Sequence, residues 1–160
     1  MSEKTLALDA TDYGIIAALQ HNGRESYKRI AEKLGVSDGT VRLRTERMVN
    51  AGYLRISASV NPLYFENQIS AMVGVCLDHP ANEEIMRSMA EMSGVQSVIN
   101  VTGRFDLLVE VSVTSRKALR HFLVDDLSTV DGVTSTESFV YLEAVGKWVE
   151  LKEHEAQHDA

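Results

Sequence analysis

Cysteine is almost absent from this sequence: Cys76 is the only one in 160 residues. An internal disulfide is excluded, and spacing gives no cysteine-based zinc site. Cys76 sits in an alternating apolar stretch and reads as strand packing rather than as a reactive thiol. Long apolar runs are missing too, since none nears the roughly 18 residues that a membrane span requires. The opening MSEKTLALDATD lacks the apolar segment of a secretory signal. These absences predict a cytoplasmic protein with no membrane partner. There is no Gly-rich phosphate loop running into Lys-Ser/Thr, no G-x-S-x-G elbow, and no grouping of nucleophile, base and acid. The five histidines are scattered. Catalysis, a cofactor and a metal centre are therefore not expected.

Positive charge is also in short supply, with 16 Lys and Arg against 23 Asp and Glu and a formal net charge of −7. Taken whole, that balance argues against a polyanionic partner. The distribution reverses the argument. Up to Val60 there are 9 basic and 7 acidic residues, and beyond it 7 and 16. The local field that a nucleic acid meets is set by the N-terminal third.

That third reads as three short helices. Asp9 can cap the first, in which Ile15, Ile16 and Leu19 recur at helical spacing before Asn22-Gly23. Ser26 can cap the second, SYKRIAEKL, with Ile30, Ala31 and Leu34 on one face and Gly35 as a left-handed stop. Ser37 can cap the third, DGTVRLRTERMVNA, whose Val41, Thr45 and Met48 point inward, with Gly52 closing it. Two helices joined by a short Gly-containing turn make a helix-turn-helix. With Val41, Thr45 and Met48 inside, the expected outward stripe is Thr40, Leu43, Arg44 and Arg47, with Arg42 alongside. Arginine offers a planar fork for guanine or phosphate, Thr40 can reach backbone or base, and Leu43 can touch a thymine methyl. Arginines on a solvated helix face are the plainer alternative, but the turn and the local positive charge favour double-stranded DNA.

After Gly52, Leu54, Ile56, Ala58 and Val60 alternate with polar residues at the period of a strand. This stretch is either a minimal wing, placing Arg55 near phosphate, or the linker into the next domain. Pro62 supplies the boundary. The expected domains are 1–60 for DNA binding, 61–67 as linker, 68–148 for regulation and oligomerisation, and 149–160 as a polar tail. Within the tail, His154 and His158 have the spacing of a helical metal pair, though a solvated tail is the favoured reading.

The C-terminal part repeats weakly. Alternating strands at ISAMVGVCLD and FDLLVEVSV are each followed by a helix, EEIMRSMAEM and RKALRHFLVDDL. A Gly-Val-x-Ser turn and a further strand follow each helix, and Gly94 and Gly132 lie 38 residues apart. Two such β-α-β units predict an α+β fold, a ferredoxin-like βαββαβ sandwich with four antiparallel strands and two helices on one face. Met72, Gly74, Cys76, Leu108 and Val140 or Tyr141 are too apolar for a solvated sheet face, which predicts a partner subunit as cover.

From Leu8 to about Lys147, the chain resembles the Lrp/AsnC, or feast/famine, transcriptional regulators. LDATDYGIIAALQHNGR is similar to the family's opening helix, and IAEKLGVSDGTVRLRTERMVNAGYL to its helix-turn-helix and following strand. VTGRFDLLVEV resembles its Gly-x-aromatic-Asp turn, and GVTSTESFVYL its last strand. At the start of the third helix Asp38 and Gly39 replace the family's frequent prolines, and Arg104 stands where the turn is commonly acidic or amide. The resemblance implies a winged helix-turn-helix regulator that forms a homodimer through its C-terminal domain, often assembles to an octamer, and is often tuned by an amino acid.

The turn itself allows a physical reading of that last point. Gly103 permits a positive φ, so amides at Arg104 and Phe105 can receive a carboxylate together with the Arg104 guanidinium. Asp106 can accept an ammonium group, while Thr134, Thr136 and Ser138 offer hydroxyls from one strand face. The competing reading is a plain hairpin in which Asp106 satisfies turn amides. At the level of the whole protein, the rival function is a small-molecule-sensing or protein-interaction module that does not bind DNA.

Overall fold

The computed structural model describes residues 6–61 and 68–150. The chain forms two compact units, Met1–Ser57 and Ala58–Ala160, so the division falls slightly before the one expected at residue 60.

In the first unit, α1 is Ala10–His21, α2 is Tyr27–Leu34 and α3 is Asp38–Asn50. Each starts where a side chain can replace a missing backbone acceptor. Asp9 accepts from the N–H groups of Thr11 and Asp12, Ser26 from Arg29, and Ser37 from Thr40. Asp12 completes the first cap by accepting the Asp9 N–H at 3.0 Å, which is the reciprocal capping box. Gly35 stops α2 at φ 67°, a conformation that lacks penalty only without a Cβ. Ile15, Ile30, Val41 and Met48 have no exposed surface, and each contributes about 1.5–3 kcal/mol by leaving water. Thr45, the polar member of the inward set, donates its hydroxyl to the Val41 carbonyl at 2.8 Å.

The strand expected after Gly52 does not form as such. Leu54 packs against the helical core, and residues 54–59 join no ladder. Alternation fixes which side a residue faces but supplies no partner. A single antiparallel bridge joins Val60 to Val149 through hydrogen bonds of 2.8 and 3.0 Å. Val149, assigned to the tail by its sequence, is therefore a buried part of the second unit. His154 and His158 lie outside the described residues.

The second unit contains β1 (Ile69–Leu77), α4 (Glu83–Ala90), β2 (Val95–Asn100), β3 (Leu107–Val113), α5 (Arg116–His121) and β4 (Val133–Val140). The strands form one sheet in the order β2-β3-β1-β4, with every neighbouring pair antiparallel. This is the expected βαββαβ sandwich. Ala71, Val73, Val75, Val109 and Val111 face the helices and meet Met89, Leu119 and Phe122 in the core. The second long helix expected from the sequence changes pitch partway. After α5 the chain makes a π turn over Phe122–Asp126 and a 3-10 turn over Leu127–Thr129. The Leu127 N–H bonds back to the Phe122 carbonyl, an i→i+5 step that leaves both side chains 1% exposed.

The opposite face of the sheet carries Met72, Gly74, Cys76 and Leu108, as their alternation predicts. Val140 pairs with Ala71 and belongs to the helix side. Tyr141 lies toward the open face, where its hydroxyl donates to Glu110 at 3.2 Å. Lys147 forms an ion pair with the same carboxylate, so this chain's own C-terminal segment covers part of the face.

Candidate nucleic-acid interface and ligand turn

Two carboxylates on the first helix decide how the recognition helix presents its arginines. Asp12 is completely buried, and its Oδ1 and Oδ2 accept from Arg44 Nη1 at 3.1 Å and Arg47 Nη2 at 2.7 Å. Arg44 Nη1 also meets Asp9 Oδ2 at 2.7 Å. The hydrogen bond from Arg44 holds the Asp9 carboxyl below its ordinary value, and the two carboxylates in turn raise the Arg44 guanidinium. Arg44 and Arg47 were expected on the outward stripe; the structure turns both guanidinium groups toward α1. The acid partners were the missed residues. Their spacing, Asp-x-x-Asp ahead of an apolar run, is a readable capping signal, but nothing local announces arginines 32 and 35 residues away.

The other DNA-binding candidates are distributed differently. Thr40 shares a 2.8 Å hydrogen bond with Ser37 inside the cap. Leu43 is 69% exposed, so the fold leaves its side chain available to a partner. Arg42 is exposed and lies over the Tyr27 ring at 5.9 Å from its centroid, so α2 steadies it as a cation on an aromatic face. Arg55 is exposed on the extended segment after the helices.

In the second unit, the turn before β3 is built around Phe105. A Cβ placed on Gly74 would lie 2.6 Å from the Phe105 ring, so the missing side chain creates the seat for that ring. Phe105 also packs edge-on against Phe139, with centroids 6.3 Å apart. Arg104 lies across Phe105 at 4.7 Å and pairs with Glu137, while Gly103 has φ 128°. Asp106 is committed to the fold: its Oδ2 accepts the Leu77 N–H at 2.8 Å and its N–H donates to the Val75 carbonyl at 2.9 Å. The role is structural, as in the hairpin alternative, but the amide that Asp106 satisfies belongs to Leu77 of β1 rather than to the turn.

The hydroxyls expected beside this turn are separated from it. Thr136 and Ser138 stand opposite Val75 and Val73, whose side chains are buried on the helix side. Directly opposed residues in an antiparallel pair share a face, so these two hydroxyls lie across the sheet from Phe105. Thr134 donates its hydroxyl to the Cys76 carbonyl at 3.1 Å. Period two along β4 correctly grouped Thr136 and Ser138, yet only register against β1 reveals their face, and Thr134 falls at the register shift beside Cys76 and Leu77. Glu137, between them in sequence, is the residue that reaches the turn. Among the described residues, no cluster of three or more His, Cys, Asp or Glu side chains has the arrangement of a metal site.

Comparisons with known proteins assign both units. Residues 8–49 match the AsnC-type helix-turn-helix domain, and residues 70–151 match the Lrp/AsnC ligand binding domain. An HTH-type transcriptional regulator of Pyrococcus furiosus is 36% identical over 142 residues, covering 88% of this chain and 95% of that protein. The regulatory protein AsnC of Escherichia coli is 32% identical over 143 residues, covering 85% and 91%. Its solved structure superposes with a TM-score of 0.66 at 27% identity, over 87% of this chain and 95% of that one. A transcriptional regulator of Neisseria meningitidis, solved as its complex with L-Met, gives a TM-score of 0.67 at 26% identity over 91% and 97%. With helix-turn-helix, antiparallel sandwich and both domain matches in the same order along the chain, this protein belongs to the Lrp/AsnC family of transcriptional regulators.

Proposed function

We propose that the protein is a cytoplasmic, sequence-specific DNA-binding regulator that works as a homodimer, assembles further to octamers, and responds to an amino acid bound by its second unit. The observation that carries the DNA reading is the capped pair α2 and α3, joined through Gly35 and standing in the one positively charged third of an acidic chain. A single helix-turn-helix makes few contacts, so two copies addressing half-sites about one helical turn apart supply the affinity. Arg42, Arg55 and Thr40 are the candidates for phosphate and groove contacts.

Amino-acid chemistry fits the turn near β3. Arg104 and Glu137 form an ion pair whose side chains are 67% and 46% exposed. A free amino acid places a carboxylate and an ammonium group a few ångströms apart, so its carboxylate can take Arg104 and the amides after Gly103 while its ammonium takes Glu137. Asp106, already bonded to Leu77, shapes the turn rather than meeting the ligand. The Neisseria relative bound to L-Met supports this ligand class.

The test is DNA binding measured over a series of salt concentrations, with and without each of the twenty amino acids. A regulator of this kind loses affinity steeply as salt rises, and its effector shifts operator affinity by roughly 5- to 150-fold. Absence of salt-sensitive DNA binding would favour an interaction module; DNA binding indifferent to every amino acid would remove the effector alone.

A further inference from the structure

The rotation of the recognition helix identifies which of its residues read bases. Val41, Thr45 and Met48 are its buried positions. At 3.6 residues per turn, the line opposite them runs close to Gly39, Leu43 and Asn50, with Glu46 and Arg47 each about an eighth of a turn away on opposite sides. Thr40 and Arg44 lie roughly a quarter of a turn from that line on the side of Arg47, where Asp9 and Asp12 hold the two arginines. Arg42 lies on the other flank, over Tyr27. We infer that Gly39, Leu43 and Glu46 form the base-reading stripe, flanked by Arg42, and that Arg44 and Arg47 are a clamp fixing the helix against α1. This inference rests on the DNA-binding reading above.

Each member of the stripe is exposed. Leu43 is exposed to 69%. Glu46 is exposed and, among the described residues, makes no ion pair. Gly39 has no positive φ, and a Cβ added there would meet nothing closer than Ser37 Oγ at 3.8 Å. Neither backbone nor packing requires glycine, although glycine weakens a helix. Its missing side chain matters only outward, where it lets the first turn of the helix approach the floor of a groove. N-terminal residues of a recognition helix are the ones that reach base edges. Leu43 suits a thymine methyl, and the Glu46 carboxylate suits the amino group of cytosine. A carboxylate at the groove floor stands away from the phosphates that would repel it. Residues three apart rise about 4.5 Å along a helix, so Leu43 and Glu46 address the same or neighbouring base pairs.

The experiment starts from the operator found for the full-length protein by selection from random duplexes. Affinities for that operator, its single-base variants and an unrelated duplex are then measured across a salt series for Gly39→Ala, Leu43→Ala, Glu46→Gln, Arg44→Lys and Arg47→Lys, each with its thermal midpoint. The stripe predicts that Leu43→Ala and Glu46→Gln keep the midpoint, the unrelated-duplex affinity and the salt slope. Both should lose at least about fivefold in discrimination, the low end of the range for a base contact, each at its own base pair. Gly39→Ala should fold normally and lose operator affinity. A lysine replaces each guanidinium with a shorter, more strongly hydrated point charge, so the clamp variants should melt earlier and lose affinity for all duplexes with base preference intact. Unchanged discrimination in Leu43→Ala and Glu46→Gln overturns the stripe while leaving DNA binding standing. A change of base preference in Arg44→Lys or Arg47→Lys at an unchanged midpoint overturns the clamp. Failure of the wild type to select any operator overturns the regulator reading, and the stripe with it.

Discussion

A carboxylate without exposed surface needs compensation, and Asp12 receives it from three directions: the Asp9 N–H, Arg44 and Arg47. Replacing Asp12 with alanine removes the acceptor of all three donors, leaving Arg47 without its carboxylate and Arg44 with Asp9 alone. Breaking a buried pair costs 3–5 kcal/mol; because both arginines keep part of their surface in water, Asp12→Ala should lie near about 3 kcal/mol in urea denaturation. A loss below about 1 kcal/mol would mean that water replaces the network freely. Asp9 gives the pH dependence of the same cluster. Its folded value is depressed below the ordinary 3.8, chiefly by the Arg44 hydrogen bond. Its stabilising contribution is therefore complete above 3.8 and is lost as pH falls through the lower folded-state value. The difference in thermal midpoint between wild type and Asp9→Asn should shrink as the pH is lowered from 7 to 3. A difference that stays constant would detach Asp9 from the ionic network. Sequence made Asp9 legible as a cap because capping is local, whereas the arginine clamp required knowing how α1 and α3 meet.

Among the elements, the helix-to-strand turns of the two β-α-β units show how much a repeat can convey. Gly94 and Gly132 start their Gly-Val-x-Ser turns at φ 77° and 79°, so both turns need the left-handed region that the repeated glycine signals. Their surroundings differ. A Cβ on Gly94 would come within 2.8 Å of the Ser112 carbonyl oxygen and 2.7 Å of Val113, whereas on Gly132 it would meet the movable His79 ring at 2.4 Å. Gly132→Ala should cost about 1–2 kcal/mol for its backbone conformation. Gly94→Ala should cost more by roughly 1–3 kcal/mol of overpacking, because a backbone carbonyl cannot swing away. Equal losses in chemical denaturation would show that the sheet absorbs the Gly94 collision. Alternation likewise identified β1 and β3, with β2 and β4 placed by the repeat, since period two needs only one-sided burial. It failed at residues 54–59, where one side is used by Leu54 on a helical core and no neighbouring strand offers a ladder. It also grouped Thr136 and Ser138 correctly while leaving their face of the sheet open, because face depends on register with β1.

At the scale of the whole molecule, the second unit leaves several large apolar side chains in water, which the proposed homodimer would cover. Leu142 and Val145 are essentially fully exposed, at 90% and 103%, and Trp148 is exposed at 59%. Phe139 and Ile99, on the open side of the sheet, add to this surface at 45% and 47%. The proposed dimer would use these side chains, since a second copy offers the same surface in return. Leu142 and Val145 are the best probes because they contact so little of their own chain. Changing both to aspartate should leave the fold of the isolated subunit intact, since exposed substitutions usually alter stability by no more than about 0.5 kcal/mol. In a dimer the same changes bury two unpaired charges per copy, so sedimentation at micromolar concentration should show dissociation constants raised at least about tenfold, a difference of roughly 1.4 kcal/mol. Operator binding should weaken in parallel while binding to a single half-site is unchanged, because α3 is untouched. If the doubly substituted protein sediments as wild type, these residues lie outside the interface. If the wild type itself sediments as a monomer yet binds a two-half-site operator tightly, the apolar face serves another purpose and pairing occurs only on the DNA.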